Sequence, residues 1–409
     1  MRMIKKAALF LFSGLVLFAC IVQSEYLLMP AALEGFCHLV YRAAFFLALP
    51  VRAAVWAAVP PVNHHWSLTD AALASFGAPF FWWAIWRIAR MGMRYVQHQG
   101  KSSASAQEKS VIGRRQFLIR SAAGVAGCAA GSFGGYTSFV EPEWLKVRHY
   151  NVPIRDLPSA LEGLRIIHVS DTHYGPYTAL PYLEYVAERA NRLDGDLVVL
   201  TGDYVHKTPR AIERGIGVLG NFKGRLGSVA VLGNHEHWEG AEFCRSAFAR
   251  IGVPLLDNRH VYVSPRGFST TCSPGSSLCL AGVGDLWEGN VLFDQAFEGV
   301  PDGVPRIVLS HNPQAAELVR PGQRVDRMLA GHTHGGQVKA PRLGAVFPPR
   351  ARGGAYAGGL CYCPYFPIIV SRGLGLACIP VRFRVPPELG VVTLARVRVG
   401  APLSTTIGE

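Results

Sequence analysis

Hydrophobic positions follow two patterns along this chain. Up to about residue 136 they form long blocks, and from Leu145 onward they form runs of four to six separated by segments with helical spacing. The first block, residues 7–23, follows Lys5 and Lys6, as a signal anchor or first membrane helix would. Residues 36–60 contain Arg42, Pro50 and Arg52; an arginine deep in hydrocarbon is costly, so this block is expected to lie at the interface or re-enter. Residues 71–86 end in an aromatic cluster before Arg87 and Arg90, which predicts a second crossing with an interfacial belt. A small-residue, Gly-rich block at 121–136 predicts a third.

The short runs are "LRIIHVSD", "DLVVLTGD", "GSVAVLGN", "PRIVLSHN" and "VDRMLAGH", each bounded by turn formers and ending in a polar residue. They predict interior strands. Helical spacing appears at 180–193 and again at 241–252, where Gly252 is the expected stop. Alternating strands and helices predict a layered α/β domain, whose ligand sites gather beyond the carboxyl ends of the strands. The expected division is 1–100 as a membrane-anchoring region and 101–144 as a basic linker with the last apolar block. Residues 145–397 form the α/β domain and 398–409 a tail.

Charge sharpens this picture. The net charge of +13 suits an anionic partner. No arginine-rich arm or aromatic RNA-binding signature is present, so nucleic acid is not the expected one. Basic residues gather between the apolar blocks, which makes a membrane surface the simpler explanation. The stretch "GRRQFLIR", 113–120, resembles a twin-arginine export signal with Gly113 where Ser or Thr is usual. Combined with the three crossings, it places everything after Tyr136 outside the cytoplasm of a bacterial inner membrane. Cys20 closes "LFAC", which Phe18 fits poorly to a lipoprotein box, so an ordinary membrane-helix cysteine is the expectation. The nine cysteines include no Cys-x-x-Cys pair, which excludes zinc-finger readings. Cys272 and Cys279 flank a Ser/Pro/Gly loop and read equally as a local disulfide or two thiols. The stretch 263–285 around them reads as a hairpin with a loop and no visible chemistry.

The strand ends carry the chemistry. In order they present Asp171 and His173, Asp203, Asn234 with His235, His311, and His332 with His334. All are nitrogen or oxygen donors, a set that suits Mn, Fe, Zn or Co. In extended backbone alternate side chains point the same way, so His332 and His334 are expected to face one cluster from one strand face. Gly335 and Gly336 would then turn the chain away. His168 is expected to be a satisfied sheet residue, and His237 and the His64–His65 pair to be loop residues.

In order, "DTH" 171–173, "GD" 202–203, "GNHE" 233–236, "SHNP" 310–313 and "GHTH" 331–334 resemble the motifs of the calcineurin-like metallophosphoesterase superfamily, over roughly 145–397. "GHTHGGQ", "SRGLGLACIPVRF" and the twin-arginine-like leader are similar to a membrane-associated bacterial branch. Some of its members hydrolyse UDP-2,3-diacylglucosamine in lipid A synthesis. The resemblance implies a four-layer α/β/β/α sandwich, here preceded by a helical membrane region. It also implies two divalent metal ions, one on Asp171, His173, Asp203 and His334, the other on Asp203, Asn234, His311 and His332, with Asp203 bridging. Two such ions would clamp a phosphoryl group and acidify a bridging water. His235 would protonate the leaving group, with Glu236 orienting it. His206 stands where the family often has an acid, as a supporting residue, a substrate contact or a plain loop histidine. Arg372 and Arg382 are candidates for gripping a second phosphate. The expected activity is hydrolysis of phosphoesters or pyrophosphates on a phosphorylated, lipid-linked or envelope substrate. A scaffold without catalysis is disfavoured, because no ligand is missing.

Overall fold

A computed structural model describes residues 136–397 except 207, 208, 274, 343 and 348–355, together with 405–408 and short stretches between 118 and 135. The expected crossings at 7–23 and 71–86 and the interfacial block at 36–60 lie outside the described residues. So do His64, His65 and the twin-arginine stretch apart from Leu118 and Ile119. Among the described residues no helix is long and apolar enough to cross a membrane. Described residues from Phe139 onward form one compact unit, and those up to Ser138 belong to another.

All five expected strands form. In chain order the first are β1 (Lys146–Ile154), β2 (Arg165–Val169), β3 (Leu197–Thr201), β4 (Ser228–Val231), β5 (Arg259–Ser264), β6 (Gly267–Ser269) and β7 (Leu278–Gly282). Then come β8 (Arg306–Leu309), β9 (Arg327–Ala330), β10 (Val338–Ala340), β11 (Gly344–Phe347), β12 (Gly359–Tyr362), β13 (Pro367–Val370), β14 (Glu388–Arg396) and β15 (Thr406–Gly408). One sheet has the order β15-β1-β14-β2-β3-β4, another β12-β13-β9-β8-β7-β5-β6, and β10 and β11 pair separately. Both large sheets are mixed: β2, β3 and β4 run parallel, as do β7, β8, β9 and β13, while β14 meets β2 antiparallel.

Alternation along each strand builds the core. Ile166, Leu197, Val199, Val229 and Val231 of the first sheet share one cluster with Leu278, Leu280, Ile307, Leu309, Leu329 and Ile369 of the second. The sheets therefore stack face to face. Each such side chain contributes about 1.5–3 kcal/mol on leaving water. The opposite side chains are buried as well, which is why these strands read as continuous apolar runs. On the outer face of the second sheet Val308, Met328, Ala330 and Ile368 pack with Phe293, Ala296 and Phe297.

Among the described residues from 136 onward, four α-helices accompany the sheets: α1 (Leu180–Asn191), α2 (Ile212–Gly217), α3 (Asn234–Arg250) and the single turn α4 (Phe293–Ala296). α1 falls where its spacing predicts and buries Leu183, Val186, Ala187 and Ala190. α3 begins seven residues earlier than the 241 expected from periodicity (241 − 234 = 7). Gly240, at φ 131 and ψ 87, breaks it into two segments, and the second coincides with the predicted helix. Gly252 takes the left-handed φ of 70 that ends it.

Candidate metal centre

Every strand expected to deliver a ligand stops short of it, and the chain then turns sharply. Asp171 (φ 53), His173 (φ 43), Asp203 (φ 56), His332 (φ 71) and His334 (φ 51) all sit in the left-handed region. For residues other than glycine this costs about 1–2 kcal/mol each, a strain that clusters at functional sites. The His-x-His expectation needs correction here. β9 ends at Ala330, and His332 and His334 flank a right-handed Thr333 at φ −81 and ψ −13. Their rings do not share one strand face, and the turn sends them into two different groups.

Those groups are Asp171–His173–His334 and Asp203–His311–His332, each with its ligand atoms within 4.8 Å of one another. His173 Nε2 lies 2.9 Å from His334 Nε2, and His332 Nδ1 lies 3.1 Å from His311 Nε2. The Asp203 carboxylate joins the two, with Oδ2 at 3.1 Å from His311 Nε2 and 3.5 Å from His173 Nε2. Asp171 is fully buried and accepts the His332 backbone N–H at 2.9 Å.

A cation fits these donors on three observations. Asn234 Oδ1 is buried without a hydrogen-bond partner. His311 Nδ1 is 2.8 Å from the Thr201 carbonyl, which can only accept, so Nδ1 carries a proton and Nε2 is the ring atom facing Asp203 and His332, where a bound cation would replace the second proton. Charge is also unbalanced. Burial alone would lower His311, yet the facing Asp203 raises it to about 10. Burial would raise Asp203, but His311 and His235 hold it well below the usual carboxylate range. Burial, with Asp203 adding to it, pushes Asp171 up to about 7. His173 and His334 are kept neutral chiefly by burial, the form in which imidazole binds metal.

The motif glycines are packing requirements. A Cβ on Gly233 would stand 2.3 Å from Asp203 Oδ1, and one on Gly331 would stand 1.9 Å from Ser170 Oγ and 2.4 Å from Asp171 Oδ2.

Other candidates divide. The His235 backbone N–H donates to Asp203 Oδ1 at 3.0 Å, and its ring Nδ1 is 3.3 Å from Nδ1 of buried His206. His206 therefore joins the cluster, in a further group with His173 and His235. Glu236 departs from its expected role of orienting His235. Its Oε2 accepts the N–H groups of Asp203 and Gly233, and its Oε1 accepts those of Tyr204 and Val205. It braces the loop that carries Asp203. Arg382 is corrected too. It is fully buried, and its guanidinium donates to the carbonyls of Arg372, Gly373, Gly375 and Val385, so it is not placed to grip a phosphate. Arg372 pairs through Nε with buried Glu388 at 3.4 Å and is partly exposed.

His168 bonds Thr201 Oγ1 at 2.9 Å within the sheet, as expected, whereas His237, expected in a loop, lies partly exposed in α3. Cys272 and Cys279 are both free thiols, and β5, β6 and β7 form the expected hairpin region. Residue patterns alone missed Trp238 and Trp287, which border the centre. Trp287 meets the His332 ring edge-on at 4.3 Å, and Trp238 meets His235 at 4.7 Å.

Residues 164–336 match the family model described as calcineurin-like phosphoesterase. The uncharacterized metallophosphoesterase YkuE of Bacillus subtilis is 30% identical over 289 residues, 69% of this chain and 98% of that protein. Phosphodiesterase YaeI of Escherichia coli is 29% identical over 289 residues, 69% of this chain and all (100%) of that protein. The UDP-2,3-diacylglucosamine pyrophosphatase LpxG of Chlamydia trachomatis is 24% identical over 312 residues, 62% of this chain and 90% of that protein. With such a relative matched along nearly its whole length, and the motif residues gathered in one cluster, the chain belongs to the calcineurin-like metallophosphoesterase family and is a metal-dependent phosphoester hydrolase.

Proposed function

We propose a membrane-anchored, dinuclear phosphoesterase acting on a lipid-linked or envelope substrate. The observation that carries the dinuclear reading is the Asp203 carboxylate reaching both histidine groups; the buried, partnerless Asn234 oxygen supports it. One ion would be held by Asp171, His173, Asp203 and His334, the other by Asp203, Asn234, His311 and His332. When bound, such ions neutralise phosphoryl charge and acidify water for in-line attack.

The chain's own residues supply the rest. Asp203 is held in place by the Glu236 carboxylate through its backbone N–H. His235 borders the cluster, tied through its backbone to Asp203 and facing His206 with its Nδ1. From there it hands a proton to the departing oxygen. Removing His235 should steepen the dependence of rate on leaving-group basicity. In a series of phosphodiesters, His235→Ala should lose about 10²-fold or more with alkoxide leaving groups and under tenfold with p-nitrophenolate. An equal loss across the series would contradict the proton-donor role.

Anchoring is supported by the apolar blocks of residues 1–136 and by the exposure of Leu118, Ile119, Val125 and Phe133 just after the paired arginines. The same division assigns 1–100 to the anchor, 101–144 to the linker, 145–397 to catalysis and 398–409 to a tail, whose β15 adds an edge strand to the first sheet. A second reading is pyrophosphate hydrolysis on UDP-2,3-diacylglucosamine, supported by the similarity to the chlamydial pyrophosphatase.

A further inference from the structure

We propose that Trp238 and Trp287 form an aromatic shelf that selects phosphoesters carrying a planar ring of the nucleobase class on the leaving-group side. The inference rests on the phosphoesterase reading and deepens it. Trp238 touches His235, the proposed proton donor, and Trp287 touches His332, a proposed ligand, at ring separations of 4.7 and 4.3 Å. The two indoles lie 6.5 Å apart with only 29° between their planes. A leaving group that receives its proton from His235 departs beside these faces.

The shelf is rigid. Trp238 Nε1–H donates to Glu288 at 2.7 Å, which ties one indole to the other's loop. Buried Asp285 accepts the N–H groups of both Trp287 and Glu288 at 2.9 and 3.0 Å. Asn258 clamps both ends of the loop, accepting from Gly284 and Leu292 and donating to the Asn290 carbonyl. Yet Trp287 remains 42% exposed. Its loop backbone is fixed while part of its ring stays open to solvent beside the centre.

Openness also distinguishes the occupant. An acyl chain gains in proportion to the apolar area removed from water and so needs an enclosing groove. A flat ring gains about 1–3 kcal/mol by stacking on a single indole face. The Glu288 carboxylate at the indole edge adds an acceptor for ring N–H groups.

The test compares 5′-AMP with ribose 5-phosphate, which lacks only the base, by calorimetric titration of the metal-loaded full chain. The expected result is at least tenfold tighter binding of AMP. Trp287→Ala should bring the ratio of AMP to ribose 5-phosphate affinity close to one, while Trp287→Phe retains much of that ratio. Circular dichroism checks that each variant folds. Equal affinity for the two probes, or an alanine effect equal on both, would overturn the shelf while leaving the phosphoryl site standing. Failure of both probes to bind, together with no hydrolysis of bis(p-nitrophenyl) phosphate, would overturn the phosphoesterase reading as well.

Discussion

At the scale of single residues, the centre depends on groups whose surroundings forbid alternatives. Gly331→Ala would drive a methyl into Ser170 and Asp171. It should cost about 1–3 kcal/mol of stability and reduce metal content, measured by thermal unfolding and elemental analysis. Glu236→Gln would turn an amide NH₂ toward backbone N–H groups that now donate to carboxylate oxygens. It should lower activity although Glu236 is not itself a proposed ligand or proton donor, and lower stability too. His235→Ala should leave the melting temperature nearly unchanged, and that contrast separates bracing from proton transfer.

His168 gives a stability prediction with a definite sign. Burial lowers its pKa to about 3, below the ordinary value of 6.5. Between those values the unfolded chain binds a proton that the native chain does not, so stability falls as pH falls. The contribution is present above pH 6.5 and drains by up to about 1.4 kcal/mol per pH unit on acidification. Denaturant titrations of wild type and His168→Asn should show a flatter acid limb for the variant.

At the scale of elements, the five strands and α1 were legible because apolar runs bounded by turn formers leave few alternatives. The ligand set was legible as well, since Asp171, Asp203, Asn234, His311 and the paired histidines each follow such a run. The geometry that delivers them was not. Left-handed φ at Asp171, His173, Asp203, His332 and His334 leaves no mark in composition, and extended-strand reasoning gave the wrong account of His332 and His334. The start of α3 was hidden because "NHEHWEG" has no apolar periodicity, its side chains being spent on the site. Arg382 illustrates a different limit. A buried arginine bonded to four carbonyls and a surface arginine awaiting phosphate look the same in sequence. Arg382→Met should destabilise by about 3 kcal/mol, because those carbonyls lose a charged donor, and a fluorescence-monitored urea titration would register the loss.

At the scale of the whole molecule, the layered α/β unit explains how residues 163 positions apart, from Asp171 to His334 (334 − 171 = 163), meet at one edge. Parallel β2, β3 and β4 and parallel β8 and β9 all end toward the cluster, and face-to-face stacking brings the two sets of ends together. The outward orientation expected from the sequence is testable by reporters fused after Glu409, one active only outside the cytoplasm and one fluorescent only inside. A cytoplasmic signal would overturn that orientation and favour a nucleotide-linked lipid substrate. The central claim is that one carboxylate couples two metal sites. Its most direct test is Asp203→Asn, read by elemental analysis and by hydrolysis of bis(p-nitrophenyl) phosphate. Wild type should carry about two divalent ions per chain and turn over. The variant should keep its circular dichroism spectrum while losing at least one ion and at least about 10³-fold in rate, roughly 4 kcal/mol of barrier. Undiminished turnover with full metal content would contradict the account.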